Sequence, residues 1–457
     1  MNIIIAGDGK VGYTLAQYLS EEGHDVTILD RNQAALRKAQ ETLDVLCVRG
    51  SSANVRSLIE AGVEKADVLI AATTNDESNM VCCLAAKMLG AKYTCARIRD
   101  PEYTESLTLL QKEMGIDLVV NPERTTAMEI SRIFRFPFAT TIEAFAHGRV
   151  EMVAFRVEGS EPIVGMALHS MPSSIPRVLY CAIERDGHAI IPDGSTRICV
   201  GDRVHVAADF RTITDYFRKL GKNVGRVKSA MLIGGGHISY YLAKIVAGMG
   251  MKLTLVEIQS EKCARLAEDL GDDDVRIICG DGTDQELLQS EAVQSYDALV
   301  CLTDRDEENL ITGLYGVKKG VDKVIVKVNR LSQMDVIRDM GIDSVVSPRS
   351  TTANAILRSV RALAHAQASK IEKVYRIVND QAEALEFTAL ENAPYLHVPL
   401  SQLHIKKGVL VAVIVRNRRI IIPFGGDHIE AGDTVILVSE AGKVLELTDA
   451  FTAEARA

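Results

Sequence analysis

The sequence predicts an α/β protein built from two copies of one unit, each copy a doubly wound parallel-sheet domain followed by a small α+β domain. Three observations carry that prediction. A glycine-rich opening, MNIIIAGDGKVGYTLAQYL, returns near residue 229 as SAMLIGGGHISYYLAKIV. Val/Ile-rich runs alternate with segments of helical period, and after each such stretch the pattern shifts to short alternating strands and turns.

The repeat comes first, because self-similarity along a chain decides its architecture. The run into Gly7 matches the run into Gly234, and VTILD ending at Asp30 matches LTLVE ending at Glu257. VLCVRG (45–50) matches VRIICG (275–280), and ADVLIAATTNDESN (66–79) matches YDALVCLTDRDEEN (296–309). The strand holding CARIR (95–99) matches the one holding VKVNR (326–330), and GIDLVVNPERTTA (115–127) matches GIDSVVSPRSTTA (341–353). The chain is a tandem duplication.

Within each copy, apolar runs without polar alternation suit strands covered on both faces, and strand–helix alternation gives right-handed βαβ units in a parallel sheet. Each copy therefore reads as a six-stranded, Rossmann-like domain. The stretches that follow carry IIPDGSTRICVGDRVHVAA and IIPFGGDHIEAGDTVILVS, with Gly201-Asp202 and Gly432-Asp433 at turns that lead into a strand. The expected domains are 1–123, 140–222, 228–350 and 370–453. The first junction, FRFPFATT around Pro137, is aromatic for a linker. Two readings stand for it: a helix end packed on its own domain, or a crossover or subunit-contact segment.

Gly7-Asp8-Gly9-Lys10-Val11-Gly12 follows a strand and opens a helix, the context that a GxGxxG phosphate loop requires. The first glycine makes the tight turn, the second lets backbone approach a pyrophosphate, and the third lets helix and strand pack closely. Free N–H groups at the helix start attract phosphate. Asp30, 23 residues after Gly7, closes the second strand where a carboxylate accepts ribose hydroxyls and repels a 2′-phosphate; Glu257 stands 23 residues after Gly234. Two loops with an acid at one spacing point to dinucleotide or adenine-nucleotide binding. The copies differ: Ser239 takes the third glycine position, and His237 stands where the first copy has Lys10. Lys10 reads either as a phosphate contact or as a solvated surface lysine; as a contact it would make the first pocket prefer the more highly charged ligand. The Thr73–Asn79 and Thr303–Asn309 segments lie at the carboxyl end of the fourth strand, where open α/β sheets bind ligands, and helix capping is the preferred role for Asp76 and Glu77.

Composition narrows the class. Hydrophobic residues at 47% and charged residues at 25% are globular usage, and a net charge of −9 disfavours a nucleic-acid binder. No apolar run approaches the length of a membrane span, and Met1 leads directly into a strand without a secretory signal, so a cytoplasmic protein is expected. Nine scattered cysteines without a CxxC pair read as reduced structural thiols, and no metal site is expected. His169, His188 and His205 have no counterparts in the repeat, and no HExxH, GxSxG or Walker lysine appears. The chain reads as a binder rather than an enzyme, and a duplicated nucleotide sensor fits a regulator.

The order of GDGKVG with Asp30, TTNDESN, CARIR, VVNPE and IIPDGSTRICVGDRV, then the whole repeated, resembles the TrkA family of Trk potassium uptake systems. That family consists of two RCK (KTN) units, each a nucleotide-binding N-terminal domain and an RCK C-terminal domain. The resemblance implies a regulatory subunit, peripheral on the inner face of the membrane, that forms a homotetrameric ring under a TrkH- or TrkG-type potassium-translocating protein. It implies NAD or NADH as ligand, with ATP or ADP in some members. The nucleotide contacts it implies are Gly7, Asp8, Gly9, Lys10, Val11, Gly12, Asp30, Ser51, Thr73 and Arg97, and in the second copy Gly234, Gly236, His237, Glu257, Asp281 and Thr303. Many such domains carry Gly-Asp after the third strand; Gly280-Asp281 keeps the pair, whereas the first copy has Gly50-Ser51. The alternatives are an NAD-dependent oxidoreductase and an RCK regulator of a different ion transporter.

Overall fold

The computed structural model describes residues 1–104, 107–222, 224–271, 274–329, 340–342, 344–364, 371–378 and 381–452. The expected limits of the fourth domain, residues 370 and 453, lie outside them. The first unit runs β1 (Asn2–Ala6), α1 (Lys10–Glu21), β2 (Asp25–Asp30), α2 (Gln33–Thr42), β3 (Leu46–Arg49), α3 (Val55–Glu60), β4 (Val68–Ala71), α4 (Asp76–Leu89), β5 (Tyr93–Arg97), α5 (Pro101–Thr104), α6 (Leu107–Met114), β6 (Leu118–Val120) and α7 (Pro122–Ile133). Its six strands are parallel in the order β3-β2-β1-β4-β5-β6. The order reverses between β1 and β4, and the crevice at that reversal is where such sheets hold ligands.

A small domain follows with β7 (Ala139–Phe145), β8 (Val150–Arg156), β9 (Leu179–Arg185), β10 (His188–Ile190), β11 (Arg203–Ala208) and α8 (Phe210–Lys219). Its antiparallel sheet has the order β10-β9-β11-β8-β7. Asp202 stabilises the turn before β11 by accepting from Cys199 N–H at 2.8 Å and from Arg185 at 2.7 and 2.8 Å. Asp433 repeats the arrangement with Arg416 and Glu430 N–H in the last domain.

The second copy repeats both sheets. It holds β12 (Ser229–Ile233), α9 (His237–Val246), β13 (Lys252–Glu257), α10 (Ser260–Asp269), β14 (Val275–Cys279), α11 (Gln285–Ser290), β15 (Ala298–Cys301), α12 (Asp306–Lys319), β16 (Lys323–Lys327), β17 (Ser344–Val346) and α13 (Pro348–Ala364). The order β14-β13-β12-β15-β16-β17 matches the first copy strand for strand. Then come β18 (Ile371–Ile377), β19 (Ala382–Thr388), β20 (Val409–Arg416), β21 (Arg419–Ile421) and β22 (Thr434–Glu440), in the order β18-β19-β22-β20-β21. Where the first small domain ends in α8, the second ends among the described residues in a single 3-10 turn at Leu447–Ala450.

The helix that closes each parallel unit packs on the other unit. Ala127, Ile130, Ile133 and Phe134 of the α7 segment share one core with Ile238, Tyr241 and Leu242 of α9. Ala353, Ile356, Leu357 and Val360 of α13 share another with Val11, Leu15 and Leu19 of α1. This settles the FRFPFATT junction as a crossover. Phe134 is buried against the second unit, and Phe136 and Phe138 turn into the first small domain, where Phe138 stacks on Phe217 with centroids 4.2 Å apart. The two small domains also face one another, through Phe145 and Met152 on one side and Ile377 and Val413 on the other.

Glu129 of α7 sits at this crossover. Burial, and then Glu143 of β7, push its carboxyl up to about 8, against the opposing pull of Arg132 and of Thr351 on α13. A carboxyl with a raised folded pKa holds a proton in the native state that the unfolded chain releases. Its contribution to stability is therefore present below the ordinary value of 4.5 and lost as pH rises through about 8. Urea denaturation from about pH 5 to about pH 9 should show the parent losing stability relative to Glu129→Gln across that window. Identical pH profiles for the two proteins would remove Glu129 from the account.

Candidate functional site: two facing glycine loops

Each glycine loop is held from below by its neighbouring strand. Gly7 N–H donates to Leu29 O and Gly234 N–H to Val256 O, both at 2.8 Å. Gly7 (φ 111°) and Gly234 (φ 103°) occupy the left-handed region, and a β-carbon on Gly7 would lie 2.9 Å from Thr73 N. Only glycine makes this turn without strain. The middle glycines, Gly9 and Gly236, have open space where a side chain would stand. They are the N-caps of α1 and α9 and offer no side-chain cap, so the first-turn N–H groups of both helices are left for a ligand.

The third position serves packing. A β-carbon on Gly12 would fall 1.8 Å from Gly7 O. In the second copy Ser239, fully buried, takes up the added bulk by donating its hydroxyl to Gly234 O at 2.5 Å.

The acids that end the second strands are fixed in the same way in both halves. Asp30 accepts from Asp8 N–H at 2.6 Å and Asn32 N–H at 2.7 Å; Glu257 accepts from Gly235 N–H and Gln259 N–H, both at 2.8 Å. Each carboxylate is oriented by its own loop and keeps lone pairs for further donors. The halves diverge beside it. Asp8 stands next to Asp30, and burial, followed by the charge of Asp30, pushes its carboxyl up to about 6; the second copy has Gly235 at that place.

The carboxyl end of the fourth strand is organised by an asparagine that sequence reasoning passed over. Asn79 is 0% exposed. It accepts from Thr73 N–H at 2.9 Å and the Thr73 hydroxyl at 2.6 Å, and donates to Thr73 O at 3.2 Å and Arg97 O at 2.8 Å. Asn309 makes the same four bonds with Thr303 and Lys327. The signal was present as a matched Asn at the end of TTNDESN and TDRDEEN. Asn75 caps α4 by accepting from Ser78 N–H at 2.6 Å, and of the two acids expected to cap, Glu77 accepts from its own first-turn N–H. Asp76 instead accepts from Arg99 N–H at 2.6 Å and Asp100 N–H at 2.9 Å, pinning the turn after β5.

Because α7 and α13 cross over, the two loops open into one cleft of about 1740 Å³. That exceeds the roughly 300–1,000 Å³ usual for one small ligand. Gly7, Asp8, Gly9, Lys10, Val11, Asp30, Thr73, Arg97, Gly234, Gly236, His237, Glu257, Asp281 and Thr303 line it. Two expected contacts stand apart from the lining. Gly12 lies under the loop, and the Ser51 hydroxyl accepts from Arg31 at 2.6 Å while Gly50 and Ser52 face the cleft. Asp281 also stabilises its own turn, accepting from Thr283 N–H at 2.9 Å and the Thr283 hydroxyl at 2.7 Å; these bonds hold its carboxyl below the usual range.

Ion pairs within each half stand at the cleft wall. Arg97 lies 3.5 Å from Glu123 and Lys327 lies 2.9 Å from Asp304. Asn121, the N-cap of α7, donates to the Tyr241 hydroxyl at 2.9 Å, and that hydroxyl donates to Arg99 O at 3.0 Å, tying the turn after β5 to α9. Lys327 above all, then Lys262 and Lys10, hold the Asp304 carboxyl below its ordinary range, so the first loop's lysine is within electrostatic reach of the second unit.

Comparison with known proteins agrees with the duplicated plan. The family model described as the TrkA-N domain matches residues 3–122 and 230–348, and that of the TrkA-C domain matches 152–221 and 384–452. The Trk system potassium uptake protein TrkA homolog 1 of Methanosarcina mazei is 32% identical over 99% of this chain and 100% of its own length. The Trk system potassium uptake protein TrkA of Vibrio alginolyticus is 32% identical over 96% of this chain and 95% of its own. Among solved structures, the GsuK RCK domain is similar with a TM-score of 0.63, 18% identity and coverage of 96% of this chain and 92% of that one. The GsuK channel bound to NAD has a TM-score of 0.61 at 18% identity, covering 96% of this chain and 76% of its own. GsuK bound to ADP has a TM-score of 0.51 at 16% identity, covering 80% and 70%. At these identities the structural likeness speaks to the fold.

Replacing Asn79 by alanine leaves Thr73 N–H and Arg97 O without their partner inside the protein. Unsatisfied buried groups cost about 1–3 kcal/mol each, so Asn79→Ala should lower the unfolding free energy by about 3 kcal/mol in urea. A loss below about 0.5 kcal/mol, the range of a neutral surface change, would show that the amide is not what holds this turn.

Proposed function

The chain belongs to the TrkA family, and on that premise we propose that it is a nucleotide-binding regulatory subunit of a potassium uptake system. The observation that carries the reading is the pair of uncapped helix starts, each beside a carboxylate held by its own loop, facing each other across one cleft. Phosphates would sit on the N–H groups of α1 and α9, and ribose hydroxyls on Asp30 and Glu257. The open space at Gly9 and Gly236 fits the close approach of a pyrophosphate. NAD or NADH suits both pockets, and ADP and ATP suit the same loops; the relatives bound to NAD and to ADP are consistent with both.

A ligand shared between two halves biases whichever arrangement of them binds it better, and the size of that bias is the difference in affinity. In this reading the bias is passed to a potassium-translocating membrane protein of the TrkH or TrkG type, beneath which the chain assembles as a homotetramer on the cytoplasmic face. No described helix is long and apolar enough to cross a membrane, so the membrane contact would be made through that partner. The chain would bind nucleotide without transforming it.

Calorimetric titration with NADH, ADP and ATP tests the pockets. The parent should show two sites per chain, and Asp30→Ala and Glu257→Ala should each remove one. Absence of binding by all three nucleotides would overturn the reading, and steady loss of NADH absorbance with a small substrate would replace the regulator by an oxidoreductase. Co-reconstitution with a TrkH-type protein should give potassium flux that changes with nucleotide. Flux indifferent to nucleotide, or recovery of the chain with another transporter instead, would count against this partner.

A further inference from the structure

Several cations line the cleft, and Arg349 among them is half-buried and reaches across from the other half of the chain. Arg349 is the second residue of α13, so it belongs to the second half of the sequence, yet it lines the cleft against the first. Its Nε–H donates to the hydroxyl of Thr14 on α1, and Thr14 donates in turn to Lys10 O at 2.9 Å, in the first turn of that helix. Arg349 is thus anchored to the helix whose free N–H groups form the first phosphate site.

Arg349 is half-buried, and no carboxylate pairs with it among the described residues. Burial draws its pKa down, with Tyr18 and Tyr13 pulling the other way. Other arginines withdrawn from water in this chain are neutralised: Arg361 by Glu22 and Glu383, Arg185 by Asp202, Arg416 by Asp433. A guanidinium taken partly out of water without a counter-charge is costly unless an anion completes it. A planar fork of donors beside a phosphate loop suits bidentate capture of a phosphoryl group.

The repeat places an opposite charge at the matching position. Pro122-Glu123 aligns with Pro348-Arg349. Since α7 packs on α9 as α13 packs on α1, Glu123 stands at the start of the helix that covers the second unit, beside Arg97. The first loop therefore has Lys10 at its head and Arg349 across from it, whereas the second has His237 and Glu123.

We propose that Arg349 completes the first pocket from the other half of the chain and reads the terminal phosphate of a nucleoside di- or triphosphate held on the Gly7–Gly12 loop. The second pocket, where Glu123 paired with Arg97 stands in place of the arginine, takes the ligand with fewer charges per phosphate end, such as a dinucleotide. This inference rests on the nucleotide-binding reading and deepens it by assigning the ligand class of each pocket.

The test uses the full chain with the second pocket disabled by Glu257→Ala. ATP, ADP and AMP are titrated by calorimetry at fixed salt, into that parent and into the same protein carrying Arg349→Gln or Arg349→Lys. The Arg349→Gln protein should weaken ATP by about tenfold or more, as expected for a lost charged hydrogen bond. AMP, which lacks the terminal phosphate, should change by less than about twofold, within ordinary context scatter. Arg349→Lys should fall between, because it keeps the charge and loses the fork. Unchanged ATP affinity, or equal weakening of ATP and AMP, overturns the proposal. The equal weakening would mark Arg349 as a support of α1 only. A Glu257→Ala parent that binds none of the three overturns the nucleotide reading beneath it, a result distinct from an unchanged ATP-to-AMP ratio.

Discussion

The reciprocal packing of α7 on the second unit and α13 on the first is the constraint from which the rest of the structure follows. Each helix presents an apolar face, Ala127-Ile130-Ile133 on one and Ala353-Ile356-Leu357-Val360 on the other. Each face is buried against the helix that follows the other unit's glycine loop. Burial of the isoleucine, leucine and valine side chains contributes about 1.5–3 kcal/mol each, and separating the halves would expose both stripes at once. The geometry also leaves little freedom in where the loops point. A helix that starts at a phosphate loop and is covered along its side by the tail of the opposite unit must open its N-terminus toward that unit. One shared cleft, with residues of both halves in its wall, results.

Polar groups set the register of this exchange. Arg361 of α13, 2% exposed, pairs with Glu22 at the end of α1 at 2.6 Å and with Glu383 of β19 at 3.2 Å; Arg376 of β18 reaches the same two carboxylates at 3.3 Å. Two cations and two anions balance, and removing any one would leave a net charge away from water. Such clusters add little stability over an apolar core of the same shape. Their effect here is to specify one alignment of α13 against α1, because a slide by one helical turn would carry Arg361 away from Glu22. The small domains are linked across the same pseudo-symmetry by Ala146 N–H to Glu386 at 2.9 Å and by Gln381 to Ala189 N–H and Gly187 O. Both ends of each half are thereby tied to the other.

What the sequence made legible is what local patterns determine. Six strands in each parallel sheet, the glycine turns and the acids at β2 and β13 follow from periodicity and spacing, and the duplication doubled each signal. Asn79 was within reach, since its counterpart Asn309 stands at the same place in the repeat, but a buried amide bonding four backbone and hydroxyl groups has no pattern of its own. Asp76 misled because an acid in a helix's first turn usually serves that helix, whereas here it bonds the turn after β5. The role of Arg349 was not legible. Alignment places it opposite Glu123, as if the two did the same work in separate pockets, and only the crossover shows that each faces the other unit.

The asymmetry between the pockets matters because they share one cleft. Two identical pockets holding two anionic ligands face to face would repel, and filling one would weaken the other. By linkage, the weakening is the same whichever ligand binds first. If Arg349 reads a terminal phosphate, having Lys10 and Arg349 on one side and His237 and Glu123 on the other places positive charge near the ligand with the most phosphate charge. That arrangement offsets the repulsion where it would be greatest. It would also make the two pockets respond differently to the same nucleotide pool, which two equal sites could not do. A chain with two such pockets would then register which nucleotide is abundant, as well as whether one is present. The physical basis is the sign of the residue at the start of each crossover helix.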